Sequence, residues 1–324
     1  MTETTGLLVM AYGTASGPDD IERYYTDIRG GRPPSPEHLE ELIDRYAAIG
    51  NVFPLTDITT AEADGLAATL KGRGMGPLRP YLGMKHSPPF ISEAVAAMRA
   101  DGIEHAVGIV MAPHWSGMSI QTYTDRVTTS VIESGGPSFS FVEQWYDHRS
   151  FLAFLTSRVA DAHAKLAEDE RANPYTIFSA HSLPTRTLDD GSMRCKYCTA
   201  DRCADRCTYG AQMRDTADRI AGSLGLAAYG TAWQSAGRTA DRWWGPPIED
   251  VIPELAEKGH TAVVVCSAGF VTDHLEILYD LDIETAEIAR DAGIAFTRTE
   301  MPNADPVFIE ALGDVVADHL DGSR

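Results

Sequence analysis

The stretch FVTDHLEILYDLDIE, residues 270–284, packs more ionisable side chains into one helical pattern than a core segment would. Glu276, Asp280 and Glu284 stand four residues apart, with Asp282 beside them and His274 just ahead. On a helix that spacing puts the three carboxylates on one face. Like charges so placed cost about 0.2–0.5 kcal/mol per exposed pair, so something must offset the repulsion. Carboxylates headed by an imidazole suit a divalent cation that keeps part of its water. A row of them would pass such a cation along in weak steps, Glu276 starting near a cleft and Glu284 pointing outward. A local widening of the helix, a π-bulge, would improve their alignment.

His181, in FSAHSLP, directly follows an apolar run. Histidine trades protons near neutrality and also binds borderline metals. Its neighbour Ser182 does not make it half of a hydrolase pair. No G-x-S-x-G elbow is present, and adjacent residues seldom meet in catalytic geometry. A third group lies in MRCKYCTADRCADRC, where Cys195, Cys198, Cys203 and Cys207 are spaced C-x2-C-x4-C-x3-C. Four thiolates in so short a loop, offset by Arg194, Lys196, Arg202 and Arg206, fit either an iron–sulfur cluster or a four-cysteine zinc site; spacing leaves both open. Cys266, inside an apolar run, reads as an inert core thiol. In the first 70 residues every basic side chain is arginine: Arg23, Arg29, Arg32 and Arg45. Arg29 and Arg32, in the loop DIRGGRPPSP, are the better candidates for gripping an anionic ligand bidentately.

Composition narrows the classes. The formal charge is −20, from 27 basic and 47 acidic side chains, which disfavours nucleic acid and anionic membrane as partners and attracts cations. No run reaches the ~18 apolar residues of a membrane span, and the N-terminus lacks the pattern of a signal peptide. A cytoplasmic protein is expected. No Walker loop and no G-x-G-x-x-G support nucleotide binding.

To position these groups, the chain must alternate strands and helices. Apolar runs predict strands at 6–11, 79–84, 106–112, 138–142, 175–180, 227–234 and 262–267. Helical periodicity falls between them, at 36–49, 60–71, 91–100, 120–133, 149–166, 210–224, 248–258 and 275–291. Continuous runs such as LLVMA and AVVVCSA fit strands covered on both faces. The pattern is that of an α/β protein built as two similar doubly wound, Rossmann-like parallel-sheet halves facing a shared cleft. The expected division is 1–147, then 148–305 with a cysteine insert at 191–209, then a C-terminal helix in 306–324 packing back on the first half. Ligands bind beyond the carboxyl ends of such strands. Tyr12, His114, His181 and His274 all follow strand ends, and a shared cleft would gather them.

In order along residues 6 to 315, LLVMAYGT, DIERYYTDIRGGR, RYAAIG, KHSPPFISEAV, FSAHSLP, WQSAG with WGP, and FVTDHLEILYD resemble the signatures of the ferrochelatases, which insert ferrous iron into a porphyrin. The compact length and Tyr12 in MAYGT resemble the branch acting on coproporphyrin III, with coproheme as product. The resemblance implies a chelatase-like fold and lyase activity in heme biosynthesis. It implies His181 and Glu276 as the iron-site pair, Asp280 and Glu284 on the iron path, and His86 and His274 supporting them. Tyr12 would be axial on the opposite porphyrin face. Arg29, Arg45, Tyr46, Phe53 and Tyr123 would meet substrate carboxylates or the pocket edge. This chain has Phe53 where many members carry Ser or Thr, and Gly30 where a second Arg is common. Because some members hold a [2Fe–2S] cluster, the resemblance favours that cluster over zinc for the four cysteines. With no obvious dimerisation element a monomer is expected, with hand-off of coproheme to a decarboxylase. Other readings of the same residues are a protoporphyrin IX ferrochelatase, a cobalt chelatase of related fold, and a non-catalytic porphyrin carrier or redox sensor.

Overall fold

A computed structural model describes residues 4–188, 193–198 and 208–322. The chain runs β1 (Thr5–Ala11), α1 (Ile21–Ile28), α2 (Pro36–Ala48), α3 (Leu55–Gly72), β2 (Leu78–Met84), α4 (Ile91–Ala100), β3 (His105–Val110), α5 (Ile120–Ser134) and β4 (Ser138–Val142). It continues through α6 (Arg149–Lys165), β5 (Pro174–His181), β6 (Pro184–Thr187), β7 (Met193–Cys195), α7 (Tyr209–Leu224), β8 (Tyr229–Gln234), β9 (Arg242–Trp243), α8 (Ile248–Glu257) and β10 (Ala262–Cys266). Last come α9 (Leu275–Leu278), a π-helical turn (Asp280–Thr285), α10 (Ala286–Asp291), β11 (Ala295–Arg298) and α11 (Pro306–Leu320).

Two parallel sheets result, ordered β2-β1-β3-β4 and β11-β10-β5-β8. Renumbered within each half, both have the order 2-1-3-4, so the likeness of the halves extends to topology. Leu7, Leu8, Val9 and Met10 are wholly buried, as are Val263, Val264 and Val265. Successive side chains of a strand point to opposite faces, so consecutive burial requires cover on both. In each sheet the strand order reverses beside the first strand, between β1 and β3 and between β5 and β10. A crevice opens there at the carboxyl ends. Tyr12 leaves β1 into one crevice, and His181 ends β5 beside the other. Gly13 makes the first exit possible. Its φ is +98°, and a Cβ there would sit 2.5 Å from the Ser87 hydroxyl oxygen.

Several elements depart from the periodicity reading. The helix expected over 275–291 is broken into α9, the π turn and α10. α1, β11 and the antiparallel sheet β7-β6-β9 were not anticipated. The small sheet escaped because its strands are two to four residues long, too short for an alternation to register. α11 lies against α3 and α6. Arg73, which caps the end of α3, bridges to Glu310 (2.6 Å) and Asp314 (2.9 Å) of that helix. Of the cysteine segment, Cys203 and Cys207 fall outside the described residues. Cys195 and Cys198 are buried, in a turn closed by the Cys198 amide donating to the Cys195 carbonyl at 3.0 Å. No described helix is long and apolar enough to cross a membrane.

Candidate active site

His181 and Glu276 meet across the end of the second sheet. The Nε2 atom of His181 is 3.4 Å from Glu276 Oε1, and the Nε2 atom of His274 is 3.4 Å from Glu276 Oε2. The far nitrogen of each ring is committed to the backbone: Nδ1 of His181 donates to the Ser182 carbonyl, and Nδ1 of His274 to the Thr272 carbonyl at 2.9 Å. A neutral imidazole so bonded turns a bare lone pair toward Glu276. Each lone pair then faces one oxygen of the carboxylate, a contact that is favourable only when a proton or another cation sits between them. About a third of the His181 and Glu276 side chains stays open to the cleft (32% and 33%), while protein surrounds them elsewhere. Burial works against a charged His181, but the Glu276 charge and hydrogen bond, the Ser182 carbonyl and the Asp280 charge outweigh it and raise His181 to about 9. Burial also works against an ionised Glu276, yet His181 and His274 hold it well below the ordinary carboxylate range. The pair is ionic.

The carboxylate row takes the direction its spacing implied. Glu276 faces the cleft, Asp280 is buried and Glu284 is exposed. The π turn aligns them. The Glu284 amide reaches back five residues to the Tyr279 carbonyl at 3.0 Å, and the Thr285 hydroxyl donates to the Asp280 carbonyl at 2.5 Å. That i→i+5 pattern is a π-bulge, a form that concentrates at functional sites. Asp282 leaves the row, pairing with Arg298 at 2.5 Å. Burial raises the Asp280 carboxyl, and although Arg45 pulls it down, the balance rests at about 6. Among the described residues no three His, Cys, Asp or Glu side chains close into a ready metal cage. The carboxylates of the row stay separate.

Arg45 stands in an unexpected place. Its guanidinium pairs with Asp280 and lies over the Tyr279 ring, 4.6 Å from the centroid. It therefore belongs to the acidic row and is not free at the cleft edge. Arg29 has no carboxylate partner among the described residues: Nε donates to the Arg32 carbonyl at 3.3 Å, the Arg32 Nε returns a bond to the Arg29 carbonyl, and the guanidinium lies 5.7 Å from the Tyr25 ring centroid. Tyr46 is buried, its hydroxyl 3.1 Å from that of Thr14 and its ring stacked on Phe53 at 4.6 Å. Tyr12 is 42% exposed, and the Glu276 charge is among the groups that push its phenol up. Beside it His86 donates from Nδ1 to Asp27 at 2.6 Å, with ring centroids of Tyr12 and His86 4.6 Å apart. Tyr123 is buried on the same wall. His114, expected in the cleft, is instead buried against α7, bonded to the Thr216 hydroxyl at 3.0 Å. Burial lowers it to about 3, so it stays neutral.

Sequence reasoning did not single out Gln234 and Ser235. Buried Gln234 accepts from the Ser179 (2.8 Å) and Ser267 (3.2 Å) hydroxyls and donates to the Glu276 carbonyl at 3.0 Å. One amide thus ties the ends of β5, β8 and β10 to the start of the row. Ser235, in a left-handed conformation at φ 61°, donates to Asp280 at 2.5 Å. The signal was a polar pair closing a buried strand, as in WQS.

With two like halves and a histidine–carboxylate cleft between them, the molecule has the fold of a metal chelatase. Over 98% of this chain it superposes on SirB from Bacillus subtilis with Fe3+ (TM-score 0.56, 9% identity, 95% of that chain). It also superposes on the sirohydrochlorin chelatase SirB from Bacillus subtilis subspecies spizizenii in complex with cobalt (TM-score 0.53, 8% identity, 98% and 95% covered). Those identities establish the fold alone. The family description ferrochelatase matches residues 4–320. A coproporphyrin III ferrochelatase from Geobacillus kaustophilus is 44% identical over 316 residues, 97% of this chain and 95% of its own length. The chain belongs to the ferrochelatase family, a family of metal-inserting lyases.

Proposed function

We propose that this protein inserts Fe2+ into coproporphyrin III, releasing two protons and giving Fe-coproporphyrin III. The observation that carries the reading is the contact of His181 and His274 with the two oxygens of Glu276, an ionic cluster at the inner end of a row of carboxylates. Relatives named for this reaction support the choice of porphyrin.

In this reading the porphyrin lies between the Tyr12 wall and the His181 wall, and closure of the cleft bends the ring. Bending exposes the pyrrole nitrogen lone pairs on one face. Fe2+ enters past Glu284 and Asp280, exchanging with the Arg45 guanidinium. Fe2+ arriving beside Glu276 displaces the proton of the resting His181 imidazolium, and the freed imidazole then takes up the two pyrrole protons in turn, each leaving along the row. Arg29, with Tyr46, Phe53 and Tyr123 around the rim, orients the substrate. Anaerobic incubation with Fe2+ and excess coproporphyrin III tests the reaction. Porphyrin fluorescence should fall through many equivalents, whereas a carrier stops at one. His181→Ala should abolish turnover while porphyrin still binds; near-normal turnover removes the base role. Protoporphyrin IX run in parallel, and Co2+ in competition with Fe2+, separate the related chelatase activities.

We further propose that Cys195, Cys198, Cys203 and Cys207 hold a [2Fe–2S] cluster. The buried turn of Cys195 and Cys198, with the Arg186 guanidinium donating to the Cys198 carbonyl, suits thiolate ligands beside positive charge. Such a cluster would supply one-electron chemistry or an oxidation-sensitive staple. Cys203→Ser should bleach its visible absorption; zinc without sulfide would favour the four-cysteine zinc site.

A further inference from the structure

The cleft wall opposite His181 carries two cations that the reaction above leaves unused. Lys85 follows directly on β2, at the carboxyl end where ligands collect in such sheets. Its Nζ donates to the Thr122 hydroxyl at 2.7 Å and lies 5.1 Å from the Tyr123 ring centroid and 5.8 Å from that of Tyr12. Arg126, one turn along α5, donates to the Lys85 carbonyl. Among the described residues neither cation has a carboxylate within ion-pair distance, in a chain with a formal charge of −20. The nearest acid on this wall, Asp27, is engaged by His86 at 2.6 Å. An ammonium has three donors; the Thr122 hydroxyl takes one, while the aromatic faces offer the charge only weak compensation. Burial and then the Arg126 charge lower Lys85 to about 8, the mark of a cation still lacking its counter-ion.

We propose that Lys85 and Arg126 form a carboxylate subsite that grips one propionate of the bound porphyrin. The idea rests on the function proposed above and adds to it the group that fixes the ring from the Tyr12 side. The chemistry is economical: a propionate has two acceptor oxygens and one negative charge, and this corner has spare donors and no anion. With its ammonium near the Tyr12 and Tyr123 rings, the lysine also offers an apolar stem to the macrocycle edge. The subsite offers a cationic anchor in a rim where Phe53 supplies no hydroxyl and Arg45 is held by Asp280.

The experiment is a titration of the full chain with coproporphyrin III, read by fluorescence at low and high salt. Lys85→Met keeps the stem and removes the charge; Lys85→Arg keeps the charge. Lys85→Met should weaken binding about tenfold, the size of one lost charge-assisted hydrogen bond. Arg126→Gln should weaken it to a smaller degree. Both should flatten the salt dependence, leave the KM for Fe2+ unchanged, and Lys85→Arg should recover most of the affinity. Wild-type affinity in Lys85→Met, or Lys85→Arg binding no better than Lys85→Met, overturns the subsite. If wild-type protein binds coproporphyrin through Lys85 yet inserts no iron, the subsite stands and the proposed reaction falls.

Discussion

His181 and His274 address opposite oxygens of one carboxylate, that of Glu276, each at 3.4 Å and each with its other ring nitrogen tied to a backbone carbonyl. The carbonyls at Ser182 and Thr272 fix the tautomers, so the only freedom left in the cluster is the number of protons, or the metal, held at its centre.

The first consequence is a titration. His181 is raised to about 9 because Glu276 outweighs the burial that alone would lower it. In Glu276→Gln its pKa should therefore fall below the ordinary value near 6.5, as read from the imidazole NMR signals against pH. A raised histidine binds its proton more tightly folded than unfolded. The stability it adds is complete below about 6.5 and is lost as pH rises through 9. An unchanged His181 titration in the variant would disprove the ion pair.

A second concerns the path. Glu284→Gln should raise the KM for Fe2+ several-fold and leave coproporphyrin affinity alone, because Glu284 is exposed at the outer end of the row. Asp280→Asn should do the same and also release Arg45, whose partner it is. Equal Fe2+ KM values across wild type and both variants would leave the row without a transport role.

Gln234 supplies a third. Gln234→Leu deprives the Ser179 and Ser267 hydroxyls of their shared acceptor and frees the Glu276 backbone. Each buried hydroxyl left unpaired costs about 1–3 kcal/mol, so the melting temperature should drop. If Gln234 also positions Glu276, kcat should fall by about an order of magnitude with little change in KM, since 1.4 kcal/mol of misplaced transition-state contact is tenfold. A lower melting temperature with unchanged kcat would reduce Gln234 to a packing role.

Glu62 gives a prediction about pH and stability. It is wholly buried between the halves; one oxygen accepts from the Thr272 hydroxyl at 2.8 Å and the other has no partner among the described residues. Burial raises its carboxyl to about 8, the Thr272 bond offsetting only part. The folded state therefore favours protonated Glu62. Its contribution is full below about 4.5 and is lost as pH rises through 8. Glu62→Gln, a neutral isostere, should raise the melting temperature by a few degrees at pH 9 and have almost no effect at pH 4.5. Equal shifts at both pH values would contradict this.

Much of the scaffold was legible in the residues. β4 and α4 begin and end where periodicity put them, because both are bounded by turn residues and carry clean patterns. The two-sheet architecture follows from apolar runs that only a doubly covered strand tolerates. The acidic row, its direction and its π-bulge could be read from spacing and from the buried strand before it. α1 could not: its polar sequence IERYYTDI buries only Ile21 and Tyr24, too little to set a period.

Local pattern determined which residues could do chemistry, since charge, ligand type and helical spacing are properties of neighbours in the chain. Tertiary structure alone decided which of them meet. Arg45 reaches Asp280 across 235 positions, and Gln234 reaches Glu276 across 42. His114 follows a strand end as His181 does, yet it packs against α7 and stays neutral. Such pairings depend on how distant strands and helices pack, within the second half for Gln234 and Glu276 and between the halves for Arg45 and Asp280, and the free energy of that packing is spread over many contacts, so no short segment encodes it.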